Sequence, residues 1–167
     1  SLLRYLDGFS SLGGTPGWGK PDQHSAAEKK ALLDWDGVAD LECTGCSVYR
    51  KWMDSIMAAT GGAETEVYHL LVDPEKYGVD PVEFRGTLES TWKTAIAELK
   101  KLDPKSIPVW KDIHRAPFRH LSKNDDWNPR NPIPTPGDSN SVDPGSWDSD
   151  HPGEHGSGAS MRTQIEM

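Results

Sequence analysis

Two cysteines three positions apart, Cys43-Thr44-Gly45-Cys46, are the most chemically suggestive pair in the sequence. The spacing suits thiol redox chemistry or half of a zinc knuckle, and a helix starting there would favour the thiolate. A zinc site needs two further ligands at matching spacing, and a thioredoxin-like site needs a preceding strand and a βαβ context. Neither is present, so the default reading is two small, partly buried residues at a helix start.

The other polar groups assemble no better. His114, His120, His151 and His155 lie among many aspartates, but no pair has the HExxH spacing, and the aspartates do not fit an EF-hand loop. Asp34 and Asp36 flank Trp35 and would point to different faces of a helix, which makes them a poor acid and base pair. Ser139, Ser141, Ser146, Ser157 and Ser160 offer hydroxyls, but none lies in a Gly-x-Ser-x-Gly elbow. No GxGxxG or GxxxxGK[ST] phosphate loop occurs. The residues taken alone thus supply no catalytic, cofactor-binding or metal-binding set.

Composition narrows the class. The 167 residues carry 18 Lys+Arg against 26 Asp+Glu, a net charge of −8, and only 35% are hydrophobic. An acidic chain without a basic cluster lacks the footprint that phosphate-backbone binding requires, which argues against nucleic acid as a partner. No apolar run approaches the roughly 18 residues of a membrane span. Two cysteines cannot build a disulfide framework, so they leave both their own pairing and the compartment open.

The elements that would position these groups are helical. Residues 1 to 23 read as a short helical tail running into a Gly- and Pro-rich loop. Ser25-Ala26-Ala27-Glu28 has capping-box spacing and predicts a helix through Leu32 and Leu33 to Trp35, with Gly37 as its stop. Val48, Tyr49, Trp52, Met53, Ile56 and Met57 form one wide stripe at helical period, closed by Gly61-Gly62. Asp80 as N-cap, Pro81 at the first position and Glu83 completing a box start a further helix. It carries Phe84, Leu88, Trp92, Ile96 and Leu99 on one face and ends near Leu102. Trp52 and Trp92 are read as core. Val109 to Leu121, broken by Pro117, reads as a turn or broken helix and then an extended stretch.

From Ser122 to Ser157 the character changes. Of these 36 residues, 26 are Pro, Gly, Asp, Ser or Asn, and their net charge of −5 accounts for most of the total. Such a loop is either disordered or pinned onto another surface, and Trp127, Ile133, Val142 and Trp147 favour pinning. Ala159, Met161, Thr163, Ile165 and Met167 then alternate with polar residues as a strand with one buried face, for which no convincing second strand exists in the chain. The expected organisation is a helical segment over 1–121, a long acidic loop over 122–157 and a strand over 158–167 entering a core sheet. The fold class is mostly α with a long irregular loop and a terminal β-strand.

Several segments resemble, in order, the β-subunit of the penicillin acylase (penicillin amidase) family. These are Ala31-Leu32-Leu33-Asp34-Trp35-Asp36-Gly37, Val48-Tyr49-Arg50-Lys51-Trp52 and Leu88-Glu89-Ser90-Thr91-Trp92. The series continues with Trp110-Lys111-Asp112-Ile113-His114-Arg115-Ala116-Pro117-Phe118-Arg119-His120, Pro136-Gly137-Asp138-Ser139-Asn140-Ser141-Val142 and Gly158-Ala159-Ser160-Met161-Arg162. The resemblance implies an αββα N-terminal nucleophile hydrolase that cleaves linear amides such as β-lactam side chains or acyl-homoserine lactones. A Ser exposed by autocatalytic cleavage is the nucleophile and its own α-amino group the base. Leu2-Leu3-Arg4-Tyr5 does not resemble the start of a family β-chain, so that role is not carried onto Ser1.

The resemblance therefore makes the chain an internal piece of the β-subunit, inactive alone. Its partners would be the remaining α and β chains and a small-molecule amide substrate. It also implies calcium in the parent and a periplasmic or extracellular setting. From the residues alone, a second reading stands beside it: a non-catalytic helical interaction module with an acidic, partner-binding loop.

Overall fold

A computed structural model describes residues 25–116, 133–137, 145–147 and 155–158. The described chain is mostly helical. Helix α1 spans Ala26–Leu33, α2 Thr44–Thr60, α3 Glu64–Val72, α4 Pro81–Leu102 and α5 Trp110–Ile113, with a 3-10 turn at Glu75–Tyr77. Short strands β1 (Arg115–Ala116) and β2 (Ile133–Pro134) pair antiparallel, with Arg115 opposite Pro134. Strands β3 (Gly145–Trp147) and β4 (His155–Gly158) form a second antiparallel ribbon with an irregularity between Ser146 and Trp147.

Helices α2 and α4 make the principal contact. The predicted stripe on α2 buries Val48, Trp52, Met53 and Ile56, and α4 meets it with Phe84, Leu88, Ala95, Ile96 and Leu99. Leu32 of α1 and Val67 and Leu71 of α3 close the same core. Burying each large aliphatic or aromatic side chain is worth about 1.5–3 kcal/mol, which is what holds short helices of poor intrinsic stability together. Trp52 and Trp92 meet edge to face at 5.2 Å and 82°. The Trp52 indole N–H is shared between the Leu88 carbonyl and the Thr91 hydroxyl, each 3.3 Å away. The Thr91 hydroxyl in turn donates to the Thr87 carbonyl at 2.8 Å. Both tryptophans are core, as their spacing suggests.

The caps follow the sequence in part. Asp80 accepts from the Val82 N–H at 2.7 Å with Pro81 following it, and α4 ends at Leu102 with Asp103 as its C-cap. Gly61 adopts φ 68° and closes α2, a conformation that suits glycine. The expected Ser25–Glu28 capping box does not form. Ser25 makes no capping bond, and Glu28 is turned inward and buried, so its carboxylate is unavailable to the helix start. Helix α1 stops at Leu33 with Asp34 as C-cap, earlier than Trp35. Gly37, at φ 88°, belongs to the turn that follows.

Helix α3 was not expected. Its N-cap is Ala63, which has no side-chain acceptor, and the start is instead secured by the Glu66 carboxylate accepting from the Ala63 N–H at 2.9 Å. Within the acidic loop, Ile133–Pro134 pairs with Arg115–Ala116 and Gly145–Trp147 pairs with His155–Gly158. The tail over 1–23, Pro117–Leu121, Trp127, Val142 and the alternating segment from Ala159 lie outside the described residues.

Candidate functional site

Several separate segments converge on the first turn of α2. Cys43 is the N-cap of that helix, Cys46 is its third residue, and the two are joined in a disulfide. The pairing settles what the spacing left open. A ring closing so few residues removes little chain entropy, about 2 kcal/mol on the loop-closure model. Cys46 is 2% exposed and Cys43 half-buried. The Cys46 N–H donates to Cys43 Sγ at 2.9 Å, and Cys46 Sγ lies 3.3 Å from the Val38 carbonyl oxygen.

Gly45, between the cysteines, is required by close approach. A Cβ there would sit 2.5 Å from Trp35 Cβ and 2.6 Å from the Ala31 carbonyl oxygen. The end of α1 therefore rests directly on the C-x-x-C turn. On its other side, the Trp110 N–H donates to the Cys43 carbonyl and the Lys111 N–H to the Leu41 carbonyl, both at 2.9 Å. Trp110 and Ile113 pack on Cys46, forming a second small core beside the main one.

Trp110 carries the convergence further. Its indole N–H donates to the Gly137 carbonyl at 3.1 Å, and the Gly137 N–H donates to the Ala39 carbonyl at 2.8 Å. His114 is fully buried, stacked on Trp110 with ring centroids 4.7 Å apart. Its Nδ1 lies 2.9 Å from the Thr135 carbonyl oxygen and 3.2 Å from the Thr135 hydroxyl, while the Thr135 N–H donates to the His114 carbonyl at 3.3 Å. His114 thus fastens the 133–137 segment beside β1, and an orienting role fits it better than ligation.

A second polar cluster joins α2 to α3. The Tyr49 hydroxyl lies between the Glu64 carboxylate, to which it donates at 2.9 Å, and the Tyr68 hydroxyl. Tyr68 also donates to Glu64, at 3.1 Å. Burial, reinforced by the Tyr68 hydroxyl and the Glu64 charge, pushes the Tyr49 phenol well above its ordinary range. Arg50, 6% exposed, pairs with Asp54 at 3.0 Å and reaches Glu64 at 3.7 Å. A phenol held protonated against the Glu64 carboxylate is a strut and not a base. The i, i+4 spacing of Glu64 and Tyr68 was the signal for this cluster, and it carries weight only once α3 is recognised as a helix.

The remaining candidates resolve into local structure. Asp34 pairs with Lys30 one turn back, and the Asp36 carboxylate accepts from the Val38 N–H at 2.9 Å, so the two aspartates serve separate turns. An open groove between α2 and α4 is lined in part by Ser55, Ser90 and Thr94. Their hydroxyls donate to the carbonyls of Lys51, Thr87 and Ser90 at 2.9, 2.9 and 3.1 Å, which leaves no hydroxyl aimed at a base. His120, His151, Ser139, Ser141 and Ser160 lie outside the described residues, as do the side chains of Ser146, His155 and Ser157.

Among the described residues no three His, Cys, Asp or Glu side chains come together to hold a metal. They do not fit a calcium site, and no calcium is assigned to them. Among the same residues no helix is long and apolar enough to cross a membrane.

The family model described as penicillin amidase matches residues 2–167. The chain belongs to the penicillin amidase family. The match reaches almost thirty residues further toward the start than the motifs beginning at Ala31, so the tail before Ser25 is part of the family's sequence as well. No curated protein matches the chain. Within this penicillin amidase family member, the family-like segments Ala31–Gly37, Val48–Trp52, Leu88–Trp92 and the Trp110–His114 stretch fall on the elements that build the two adjoining cores. Membership carries hydrolase activity for the protein to which the chain contributes.

Proposed function

We propose that this chain is an internal part of the β-subunit of an acylase that hydrolyses linear amides, with acyl side chains of β-lactams or acyl-homoserine lactones as the substrate classes. The observation that carries the reading is the family match across residues 2–167. In this reading the reacting groups lie outside the chain. A Ser hydroxyl at the head of the β-subunit attacks the amide carbonyl, its own α-amino group takes the proton, and the resulting acyl-enzyme is released by water. Donors aimed at the developing oxyanion lower the barrier.

The role of these residues is positional. The α2–α4 pair forms a stiff base, and the C-x-x-C turn with Trp110 and His114 ties the 133–137 segment to it. In this reading the parent takes the αββα hydrolase architecture, with the remaining α and β chains as obligate partners that this part supports.

The test is direct. The whole protein, incubated with a panel of N-acyl amides including a phenylacetyl β-lactam and an acyl-homoserine lactone, should release free amine detectable by fluorogenic labelling. The 167-residue chain expressed alone should release none. Failure of the whole protein on every acyl amide would refute the amidase assignment, and turnover by the isolated chain would refute the placement of the nucleophile elsewhere.

A further inference from the structure

We propose that the Cys43–Cys46 disulfide is a reversible redox latch. A dithiol reductant opens it, and its state sets how firmly the Trp110 turn and the 133–137 segment stay docked on the start of α2. The inference is independent of the amidase reading, because it concerns the joint and not the chemistry of the substrate.

Three observations converge on it. The sulfurs are unequally placed: Cys43 is half-buried at the helix cap, whereas Cys46 is 2% exposed beneath Trp110. Thiol exchange therefore enters at Cys43, with Cys46 as the leaving sulfur. The reduced state also has partners ready. The Cys46 N–H already points at Cys43 Sγ from 2.9 Å, inside the first turn of a helix, where a thiolate is favoured. The Val38 carbonyl oxygen, 3.3 Å from Cys46 Sγ, can accept from the Cys46 thiol once it carries a proton. Finally, the joint bears on the docked segment. The Cys43 and Leu41 carbonyls receive the Trp110 and Lys111 N–H groups, and Trp110 and Ala39 both hold Gly137.

The step balances as ordinary dithiol–disulfide exchange. A thiolate of the reductant attacks Cys43 Sγ, the Cys43–Cys46 bond breaks, and Cys46 leaves as a thiolate that takes up one proton. The second thiol of the reductant loses its proton and attacks the mixed disulfide, releasing Cys43 sulfur and closing the reductant's own disulfide. Two electrons pass from the dithiol to the protein disulfide, and the two thiol protons of the reductant end on the two cysteines or in solvent.

The experiment compares the whole protein, without denaturant, in dithiothreitol and, after its removal, in oxidised glutathione. Maleimide mass tagging counts thiols at Cys43 and Cys46, and hydrogen exchange is followed residue by residue. The expected result is two thiols per chain in dithiothreitol and none after reoxidation. Exchange at Trp110, Lys111 and Gly137 should rise about tenfold on reduction, while Leu88, Ala95 and Leu99 stay unchanged. Cysteines that react only in denaturant, or unaltered exchange in the reduced protein, would overturn the latch. The double variant Cys43→Ser/Cys46→Ser should match the reduced wild type and ignore dithiothreitol, and a persisting response would likewise overturn it. If that variant does not fold, the wild-type comparison decides by itself.

Discussion

The indole N–H of Trp110 donates to the carbonyl of Gly137, 3.1 Å away and 27 positions along the chain. Gly137 is buried and its own N–H is taken by Ala39, so a single side chain closes the backbone bookkeeping of a loop residue on the helical core. Trp110→Phe keeps most of the ring packing and removes the donor. It should cost about 1–3 kcal/mol, because a buried carbonyl is left without its partner. Chemical denaturation measures the loss, and unaltered stability together with unaltered exchange at Gly137 would disprove the role given to this bond.

Two glycines in helices predict opposite signs. Gly45→Ala forces a Cβ against Trp35 and the Ala31 carbonyl and should destabilise by about 1–3 kcal/mol, lifting α1 from α2. Gly86→Ala in α4 meets nothing within 4 Å and should stabilise by about 0.5–1 kcal/mol through helix propensity and unfolded-state entropy. Thermal melts of the two variants beside the wild type settle both, and shifts of the same sign would contradict the packing described.

The Trp52 bond can be separated from its packing. Trp52→Ala should cost about 3–5 kcal/mol as a large core cavity opens between α2 and α4. Thr91→Val should cost only about 1 kcal/mol, because the Leu88 carbonyl remains as a second acceptor for the indole. Equal losses in the two variants, measured by urea titration, would show that the hydrogen bond and not the ring dominates.

Alkaline stability depends on Tyr49. Its phenol is raised above the ordinary value near 10 by burial first, then by Tyr68 and Glu64. Above that pH the unfolded chain gives up this proton while the folded chain keeps it, so the folded state binds more protons and stability falls as pH rises. The contribution is fully present below pH about 10 and is lost progressively above it. Tyr49→Phe should flatten the decline between pH about 9.5 and 11, read from melting temperatures, with the late tyrosinate absorbance step missing. A decline as steep as the wild type's would remove Tyr49 as its cause.

How far the chain was legible from its residues varies by element. Asp80-Pro81 and the Gly61 stop carry their own local chemistry, and the stripe from Val48 to Met57 has a period that only a helix satisfies. Helix α3 is hidden because Ala63 offers no cap signal and because Val72 is largely and Tyr68 partly exposed, which blurs the apolar face. The capping box at Ser25 does not form, because the Glu28 side chain is buried and Ser25 makes no side-chain capping bond. The ordered motifs that resemble penicillin acylases are legible in the sequence, and the family match agrees with them.

What the sequence by itself determined is local and cumulative: helix periods, caps, the acidic break after Leu121 and the family. Those signals reside within a turn or two of backbone, or in the order of motifs, and need no partner in space. What only the tertiary structure decided is the meeting of distant groups. The pairing of Cys43 with Cys46, the Trp35 contact on Gly45, the burial of His114 against Trp110 and the anchoring of Gly137 depend on which surfaces pack together. Spacing along the chain cannot encode them, because each is fixed by excluded volume and by the need to satisfy buried backbone groups from whatever side chain lies within 3 Å or so.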